Sequence, residues 1–460
     1  MAKKSPIRVK LIATPNKLPA NLISHGAKTC YDGKEPKWGK RIDIEKRLYD
    51  VGHATPLQSV SYTFHVGGIS VGNISFGFHL VHQFLSSCQR SGRYCIDMFR
   101  DPHAVKRILR YINYFWPEIS ERKQRRIQRY VEGCIGLFRS HIDEATAISE
   151  EYIRKDRPRA SDKYIKANAK RFAQEQLRVV VPVVFPTAFD HTLNLSALIA
   201  LHQVAWDEPM KYVVGRMARL VLKHDPTLRF AFSKKSENDG LDFLNPNELT
   251  GAFIQYQPKL KLIAVDGIGK IVIPIGDQLH PVDRLPFEPD LMENSIHHIK
   301  TRVEMSLIDW GQDQRHRMIL RGQPEFTGGI YCPPIVRALG LEKELEEFGN
   351  QWLEISQWIP QNLARLLALY GAIVIFEKSG SFNAVIHEQG KRTCFCAQSS
   401  IGELARKLRL ALMPQFEAAG RPELGDLFAP ACYTTGQCGE GGRYCGRDMG
   451  EDIFSSSRRV

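Results

Sequence analysis

The stretch from His79 to Cys95, HLVHQFLSSCQRSGRYC, ends in three residue types that together suit an anion. Ser91, Gly92 and Arg93 offer a hydroxyl, backbone N–H groups that a glycine leaves accessible, and a planar guanidinium. Such groups in series can hold a phosphate. Taken alone, the triplet is more typical of a solvated turn, so its interpretation depends on the sequence around it.

The spacing upstream of the triplet resembles the signature of the flavin-dependent thymidylate synthases (ThyX). That family carries Arg-His-Arg, then seven residues, then Ser-x-Arg. Here Val81-His82-Gln83 precedes Ser91-Gly92-Arg93-Tyr94 by the same interval. Residues 52–64, GHATPLQSVSYTF, resemble the family's segment ahead of this motif. The central histidine and the Ser-x-Arg are kept, whereas both flanking arginines are replaced.

A second partial copy of the motif follows in the C-terminal half. Arg315-His316-Arg317 stands intact and is followed, after nine residues, by Thr327-Gly328-Gly329. Arg392 and residues 397–401, AQSSI, resemble the family's nucleotide-gripping arginine and the helix after it. The sequence therefore has the character of a tandem duplication, with complementary losses in the two copies.

A single offset supports the duplication. Arg178, the arginine that the family places before a short apolar run and a proline, pairs with Arg365 at a shift of 187 residues. The same shift pairs Ala205 with Arg392. The resemblance implies two tandem ThyX-like α/β domains, at 1–235 and 236–460, that form a pseudo-dimer.

The composition is that of a globular protein. The chain has 460 residues, 43% hydrophobic and 25% charged, which is enough for two or three domains. It lacks an apolar run of about eighteen residues and an N-terminal signal segment, so we expect a cytoplasmic protein without a membrane partner. The net charge of +13 suits a nucleotide, a dinucleotide cofactor or nucleic acid. Basic runs at 122–126 and 154–159 are interpreted as solvated helix surfaces, with a nucleic-acid face as the alternative.

Hydrophobic periodicity predicts the main elements. Strands are predicted over 7–14, 59–66, 260–265 and 270–274. Helices are predicted within 19–52, 70–90, 101–178 and 194–222. The helix over 70–90 would place Ser91 at a helix end, and the polar stretch 233–248 is the predicted boundary between the copies.

The resemblance implies a reductive methylation of dUMP to dTMP. Methylenetetrahydrofolate would supply the carbon, and reduced FAD, regenerated by NADPH, the hydride. The implied nucleotide-binding residues are Ser91, Gly92, Arg93, Tyr94, Arg178 and Arg392, of which Arg93 and Arg392 would also polarise the pyrimidine. The implied flavin-binding residues are Arg315, His316, Arg317, Asn194, His53 and His82. The alternatives are a flavin-dependent enzyme for another pyrimidine nucleotide, or a non-catalytic nucleotide- or nucleic-acid-binding relative.

The family's active sites lie where subunits meet, so fused copies would share sites. We therefore expect a homo-oligomer, a dimer of fused pairs that stands in for the family's tetramer. At the C-terminal end, Cys432, Cys438 and Cys445 lie among glycines and could hold zinc, although reduced thiols without metal are the simpler interpretation.

Overall fold

Helices and strands alternate in an α/β arrangement in a computed structural model, which describes residues 4–80, 85–237, 243–274, 281–441, 444–455 and 457–460. The strands are β1 Arg8–Ala13, β2 Ser61–Ser70, β3 Leu85–Gln89, β4 Pro186–Asn194, β5 Phe253–Gln255, β6 Lys259–Val265, β7 His298–Ser306, β8 Leu320–Arg321, β9 Glu325–Tyr331 and β10 Ala372–Ser381. The α-helices are α1 Pro19–Tyr31, α2 Thr55–Gln58, α3 Val71–Asn73, α4 Ala104–Phe115, α5 Glu121–Asp156, α6 Asp162–Leu177, α7 Leu195–Val204, α8 Glu208–His224, α9 Pro281–Arg284, α10 Glu293–Ile296, α11 Leu307–Asp313, α12 Pro334–Ala338, α13 Glu342–Ser356, α14 Gln361–Ala364, α15 Phe382–Arg392, α16 Ser399–Ala418 and α17 Ala431–Thr434. Among the helices of these described ranges, none has the length and apolar character needed to span a bilayer.

The chain divides into two compact units that differ from the two sequence halves. The described residues of the first lie in Met1–Ser91, His103–Glu121 and Val184–Asp242. Those of the second lie in Gly92–Pro102, Arg122–Val183 and Phe243–Val460. The second unit therefore contains two segments of the N-terminal half. The sequence copies at 1–235 and 236–460 stay a prediction.

The first unit is built on an antiparallel sheet in the order β1-β2-β4-β3. Along β2 the side chains of Tyr62, Phe64 and Val66 are buried, whereas the residues between them are partly exposed. This alternation is expected of a strand with one face on the core. At the end of β2, the Ser70 hydroxyl accepts the Asn73 N–H and caps α3.

The second unit has the sheet order β5-β9-β10-β7-β6, with β8 also paired to β10. Four of its strands, β6-β7-β10-β9, repeat the antiparallel order β1-β2-β4-β3 of the first unit. Ser306 caps the helix after β7 as Ser70 does after β2. Asn194 and Ser381, which are 187 residues apart, each cap the helix that follows their strand. The two units thus share the order of four strands and the polar caps of the helices that follow two of them.

The longest helix, α5, supplies much of the second unit's interior. Its buried side chains recur at helical spacing and include Ile127, Val131, Phe138 and Ile142. Its Tyr130 hydroxyl donates to the Leu367 carbonyl at 2.8 Å. Because α6 runs back from the end of α5, Arg178 at the end of α6 is placed inside this unit.

Several predicted elements are confirmed and others are wrong. The strands over 7–14, 59–66 and 260–265 are present as β1, β2 and β6, and helices fill most of 101–178. The helix over 70–90 is wrong, because a short helical segment ends at Phe78 and β3 follows it. Pairing of β3 with β4 overrides the helical spacing of the apolar residues. Ser91 therefore follows a strand and not a helix.

Two further expectations fail in part. Within 19–52, α1 ends at Tyr31 and helical structure resumes only at Glu45. No strand occurs in the described part of 270–274, where a 3-10 turn over Ile268–Lys270 precedes irregular backbone. The proposed boundary stretch 233–248 lies partly outside the described residues.

We predict that Gly68→Ala lowers the free energy of unfolding by about 2 kcal/mol or more. Gly68 has φ of +84°, which L-residues rarely adopt, and a Cβ there would lie 2.3 Å from the Pro6 carbonyl oxygen. Gly67→Ala is the matched control, because its Cβ would meet only the His65 ring at 3.5 Å. Urea unfolding measures both, and equal losses for the two variants would contradict the prediction.

Candidate functional site

Arg93 lies inside the second unit and forms a buried ion pair. Its Nε donates to Glu175 Oε2 at 2.5 Å, and the two residues are 9% and 1% exposed. Its Nη2 donates to the Cys396 carbonyl at 3.0 Å. Burial lowers the pKa of Arg93, but the Glu175 carboxylate outweighs this effect and the net pKa is raised. Arg93 is therefore charged and largely neutralised by one carboxylate.

Arg178 is a second buried arginine, 5% exposed, at the 3-10 turn that follows α6. Its Nη2 donates to Gln398 Oε1 at 3.1 Å, and its guanidinium lies over the Tyr370 ring at 5.5 Å. A Cβ on Gly92 would lie 2.6 Å from Arg178 Nη1, so a larger residue there would displace the guanidinium from its present position. Burial lowers the pKa of Arg178, with Tyr370 and Glu175 opposing it. Its Nε is buried and has no hydrogen-bond partner among the described residues.

Two glutamines, Gln312 and Gln398, join these arginines to Arg392. Gln398 Oε1 accepts from Gln312 Nε2 at 3.0 Å as well as from Arg178. Gln312 Oε1 accepts from Arg93 Nη1 at 3.5 Å, and the Gln312 backbone carbonyl accepts from Arg392 Nη2 at 2.6 Å. Three arginines predicted to bind nucleotide are thus connected within one compact unit. We call Arg93, Arg178, Arg392, Gln312 and Gln398 the arginine cluster.

The Arg-His-Arg segment borders the arginine cluster through its histidine. His316 is 7% exposed and its Nε2 accepts from Arg392 Nε at 2.9 Å. Burial, and then the Arg392 charge, lower the pKa of His316 well below its ordinary value, so the ring is neutral at pH 7. A neutral acceptor fixes the direction of the Arg392 side chain. Arg315 is exposed and Arg317 is partly exposed.

A buried ionic group fixes the turn that carries Arg-His-Arg. Lys378 Nζ donates to Asp313 Oδ1 and to Glu388 Oε1, each at 2.7 Å, and Arg321 also pairs with Asp313. Asp313 ends α11, three residues before His316. Burial raises the pKa of Asp313, but the charges of Arg321 and Lys378 outweigh it and the net pKa is well below the usual range. The turn is therefore held by ionised partners that water cannot screen.

Asp309 is the second buried carboxyl near the arginine cluster. It is 1% exposed, Ser306 Oγ donates to its Oδ2 at 2.8 Å, and the Ser400 hydroxyl donates to its Oδ1. Burial raises its pKa to about 6, although both serines and the Arg178 charge favour the ionised form. Ser400 also accepts from Gln398 Nε2 at 3.1 Å. Asp309 thereby orients an amide of the arginine cluster.

The other predicted nucleotide and flavin residues do not belong to the arginine cluster. Ser91, His53 and Asn194 belong to the first unit. Asn194 Oδ1 accepts the Ala197 N–H at 2.8 Å, so this oxygen caps α7, and His53 is exposed. His82 lies outside the described residues. Tyr94 is 58% exposed, with the Arg93 and Arg171 guanidinium carbons 5.5 and 5.2 Å from its ring centre.

Sequence reasoning missed Glu175 and Gln312. Glu175 lies three residues before Arg178 in a helix with charged residues throughout, so its burial has no sequence signal. Gln312 lies three residues before the Arg-His-Arg segment at Arg315, and this proximity is the sequence signal that could have indicated it. Both contribute polar atoms that determine how the arginines are arranged.

The expected zinc ligands do not form a site in the part of the chain that the structure describes. There, no group of three or more His, Cys, Asp or Glu residues could hold a metal. Cys432 Sγ instead accepts from Arg447 Nε and Nη2, each at 3.4 Å. Cys445 is buried and Cys438 is partly exposed. The glycine-rich sequence is compatible with convergence of these thiols. The Cys432 sulfur is instead hydrogen-bonded to Arg447.

The fold and the arginine cluster define an α/β protein with a site suited to an anion. A family model described as thymidylate synthase complementing protein matches residues 10–226. The flavin-dependent thymidylate synthase of Clostridium tetani (strain Massachusetts / E88) is 28% identical over 210 residues, which cover 43% of this chain and 73% of that protein. Residues 10–226 of the chain are therefore similar to the ThyX family.

Two solved structures of ThyX from Helicobacter pylori, both with FAD and dUMP, are also similar to the chain. The first has a TM-score of 0.34 at 14% identity and covers 49% of this chain and 99% of that one. The second has a TM-score of 0.33 at 14% identity and covers 50% and 99%.

We predict that the Asp309→Asn variant gains stability relative to the parent protein as the pH rises. The folded-state pKa of about 6 exceeds the ordinary 3.8, so the folded protein binds the extra proton between these values. The parent protein therefore loses stability as the pH rises through about 6, and an asparagine does not titrate. Relative to the parent, the variant should gain about 2 kcal/mol between pH 4 and pH 7.

The measurement is the free energy of unfolding of both proteins at pH 4 and pH 7. Asp50→Asn, at an exposed aspartate, is the control and should show little change in this difference. A pH-independent difference for Asp309→Asn would contradict the assignment of a raised pKa.

Proposed function

We propose that this protein is a flavin-dependent thymidylate synthase that converts dUMP to dTMP. Methylenetetrahydrofolate is the proposed carbon donor and NADPH the proposed reductant of the flavin. The observation that carries the proposal is the arginine cluster: arginines from both sequence halves are hydrogen-bonded to the same two linked glutamines in one unit of a chain similar to ThyX. The H. pylori proteins of this family hold FAD and dUMP, which supports the same ligands here.

The charge distribution favours a phosphate or another anionic group of the nucleotide. Arg93 already has Glu175 as its counter-ion, whereas Arg178 has a buried Nε without a partner among the described residues. An anion would satisfy this donor and offset the cost of burying the charge. Arg178 is therefore the proposed phosphate ligand, beside the Gly92 that gives it room.

The amide side chains suit the edge of a pyrimidine. Gln312 and Gln398 each carry donor and acceptor atoms and lie beside three guanidinium groups. In the proposed reaction, Arg392 and Arg93 donate to pyrimidine carbonyls and stabilise the negative charge that develops on the ring. The neutral His316 holds Arg392 in position, and Glu175 does the same for Arg93.

Arg315 and Arg317 are suited in charge to the anionic part of FAD. They flank the buried His316 on a turn fixed by Asp313, and both are accessible to solvent to some extent. Bound reduced FAD would supply the hydride that completes the methyl group. A role for Asn194, His53 and His82 in holding the flavin stays a prediction, as does the dimer of fused pairs.

A related reaction on a different pyrimidine nucleotide is the second candidate. The observation that favours it is the loss of family arginines at Val81, Gln83 and Ala205 in the first copy. A substrate with other exocyclic groups would be recognised by the same amides. Titration of the protein with dUMP and with other pyrimidine nucleotides separates the two candidates.

We predict that Arg178→Gln and Arg392→Gln each weaken dUMP binding about ten- to a hundredfold. A hydrogen bond to a charged group contributes about 1.5–3 kcal/mol, which corresponds to this range. Isothermal titration with dUMP measures the affinities, and thermal unfolding shows whether each variant is folded. Arg122→Gln, at an exposed arginine of α5, is the matched control. Folded variants that bind as tightly as the parent would exclude the proposed nucleotide site.

We predict that the double variant Arg315→Ala, Arg317→Ala loses bound FAD. Removal of two cations next to the proposed flavin site takes away the partners of its diphosphate. The flavin absorbance of the purified protein, before and after addition of FAD, measures occupancy. The pair Arg216→Ala, Arg219→Ala changes the net charge equally at exposed positions of α8 and should keep the flavin. Full flavin content in the first double variant would assign the cofactor to other residues.

A further inference from the structure

Three arginines, of which Arg93 and Arg157 are buried and Arg458 is partly exposed, bind every backbone carbonyl of a four-residue stretch at the edge of the arginine cluster. The hydrogen bonds, in order along the chain, are Arg157 Nη2 to Phe395 O at 2.9 Å, Arg93 Nη2 to Cys396 O at 3.0 Å, Arg458 Nη2 to Ala397 O at 2.7 Å and Arg458 Nη2 to Gln398 O at 3.2 Å. We call residues 393–398 the arginine-bound loop. It connects Arg392 to Gln398, so its conformation positions two members of the arginine cluster.

Two cysteines of this loop are close in space. The Cys396 N–H donates to Cys394 Sγ at 3.4 Å. Both cysteines are partly exposed. Residues two apart span at most about 7 Å between Cα atoms, which overlaps the range of about 4.4–6.8 Å in disulfides. A bond between these sulfurs is therefore geometrically accessible.

The pKa values of the two thiols are shifted in opposite directions. The hydrogen bond from Cys394 lowers the pKa of the Cys396 thiol to about 7, against the effect of burial. The same hydrogen bond, together with burial, raises the pKa of Cys394. Near neutral pH the pair resembles a thiolate that accepts a hydrogen bond from a thiol, which is the reactive form in disulfide exchange.

We propose that Cys394 and Cys396 form a redox-active dithiol site that reacts with small disulfides and, when oxidised, weakens the nucleotide site. The coupling to nucleotide rests on the proposed function, whereas the dithiol chemistry does not. The link is the Cys396 carbonyl, which accepts from Arg93 in the reduced form. Closure of a disulfide between neighbours on a loop turns the intervening peptides and displaces this acceptor.

The reaction is a two-electron exchange with a disulfide such as oxidised glutathione. The Cys396 thiolate attacks one sulfur of the reagent, so its S–S bond breaks and one glutathione thiolate leaves. The Cys394 proton passes to that leaving thiolate. The Cys394 sulfur then attacks Cys396 in the mixed disulfide, which releases the second glutathione as thiolate. The protein gains one disulfide, and the reagent is reduced to one thiol and one thiolate, which takes its proton from solvent.

The chemistry is tested by mass spectrometry of the full chain after incubation with oxidised glutathione. Free thiols are alkylated and the protein is digested with trypsin, which releases both cysteines in the single peptide 393–406. We expect this peptide to lose two hydrogens and to escape alkylation. Cys396→Ser should prevent it, and Cys30→Ser, at an exposed cysteine, should not. A bond from Cys396 to the nearby Cys445, or a persistent glutathione adduct, would overturn the proposal.

The coupling is tested by titrating the reduced and oxidised proteins with dUMP. Loss of the Arg93 contact should weaken binding about tenfold on oxidation, and dithiothreitol should restore it. Cys396→Ser, which lacks the attacking thiolate and forms neither the mixed disulfide nor the protein disulfide, should show no change with oxidant. If the disulfide forms but affinity is unchanged, the coupling is wrong. If neither form binds dUMP while the disulfide forms, the proposed function fails and the dithiol site stands.

Discussion

The buried ion pair between Arg93 and Glu175 is the interaction on which the site depends. Breaking such a pair leaves an uncompensated charge in the interior and costs about 3–5 kcal/mol. It therefore fixes the position of Arg93, whose remaining donors reach Gln312 and Cys396. It also determines the charge balance, because Glu175 neutralises one arginine and leaves the charges of Arg178 and Arg392 available to an anionic ligand.

The packing of the helix that carries Glu175 holds this residue in place for the ion pair. Glu175 lies on α6, whose buried face includes Phe172 and Ala173, and Gln174 Nε2 of the same helix donates to the Gly92 carbonyl at 2.7 Å. The Ser-Gly-Arg segment is thus attached to a helix by one ionic and one neutral hydrogen bond. This attachment replaces the helix end that the sequence pattern predicts for the segment.

The sequence predicts the arginines better than it predicts their surroundings. Arg93, Arg178 and Arg392 are found from motif spacing and a repeat offset, because they occupy positions of a recognisable sequence pattern. Glu175 lies in a helix where charged residues are common, and only the tertiary packing shows that it is buried. The helix predicted over 70–90 fails for a similar reason. The pairing of β3 with β4 is a non-local contact that overrides a local periodicity.

The predicted duplication, with its complementary losses in the two halves, has a physical rationale in the second unit. Arg93 and Arg178 come from the N-terminal half, whereas Arg392 and His316 come from the C-terminal half, and one hydrogen-bond network includes all four. A half that supplies one side of such a network can lose the residues for the other side without loss of the site. The replacement of Arg392's counterpart by Ala205 is consistent with this division. A buried arginine without an anion is costly, so a position released from binding is expected to change to a small apolar residue, as Ala205 has.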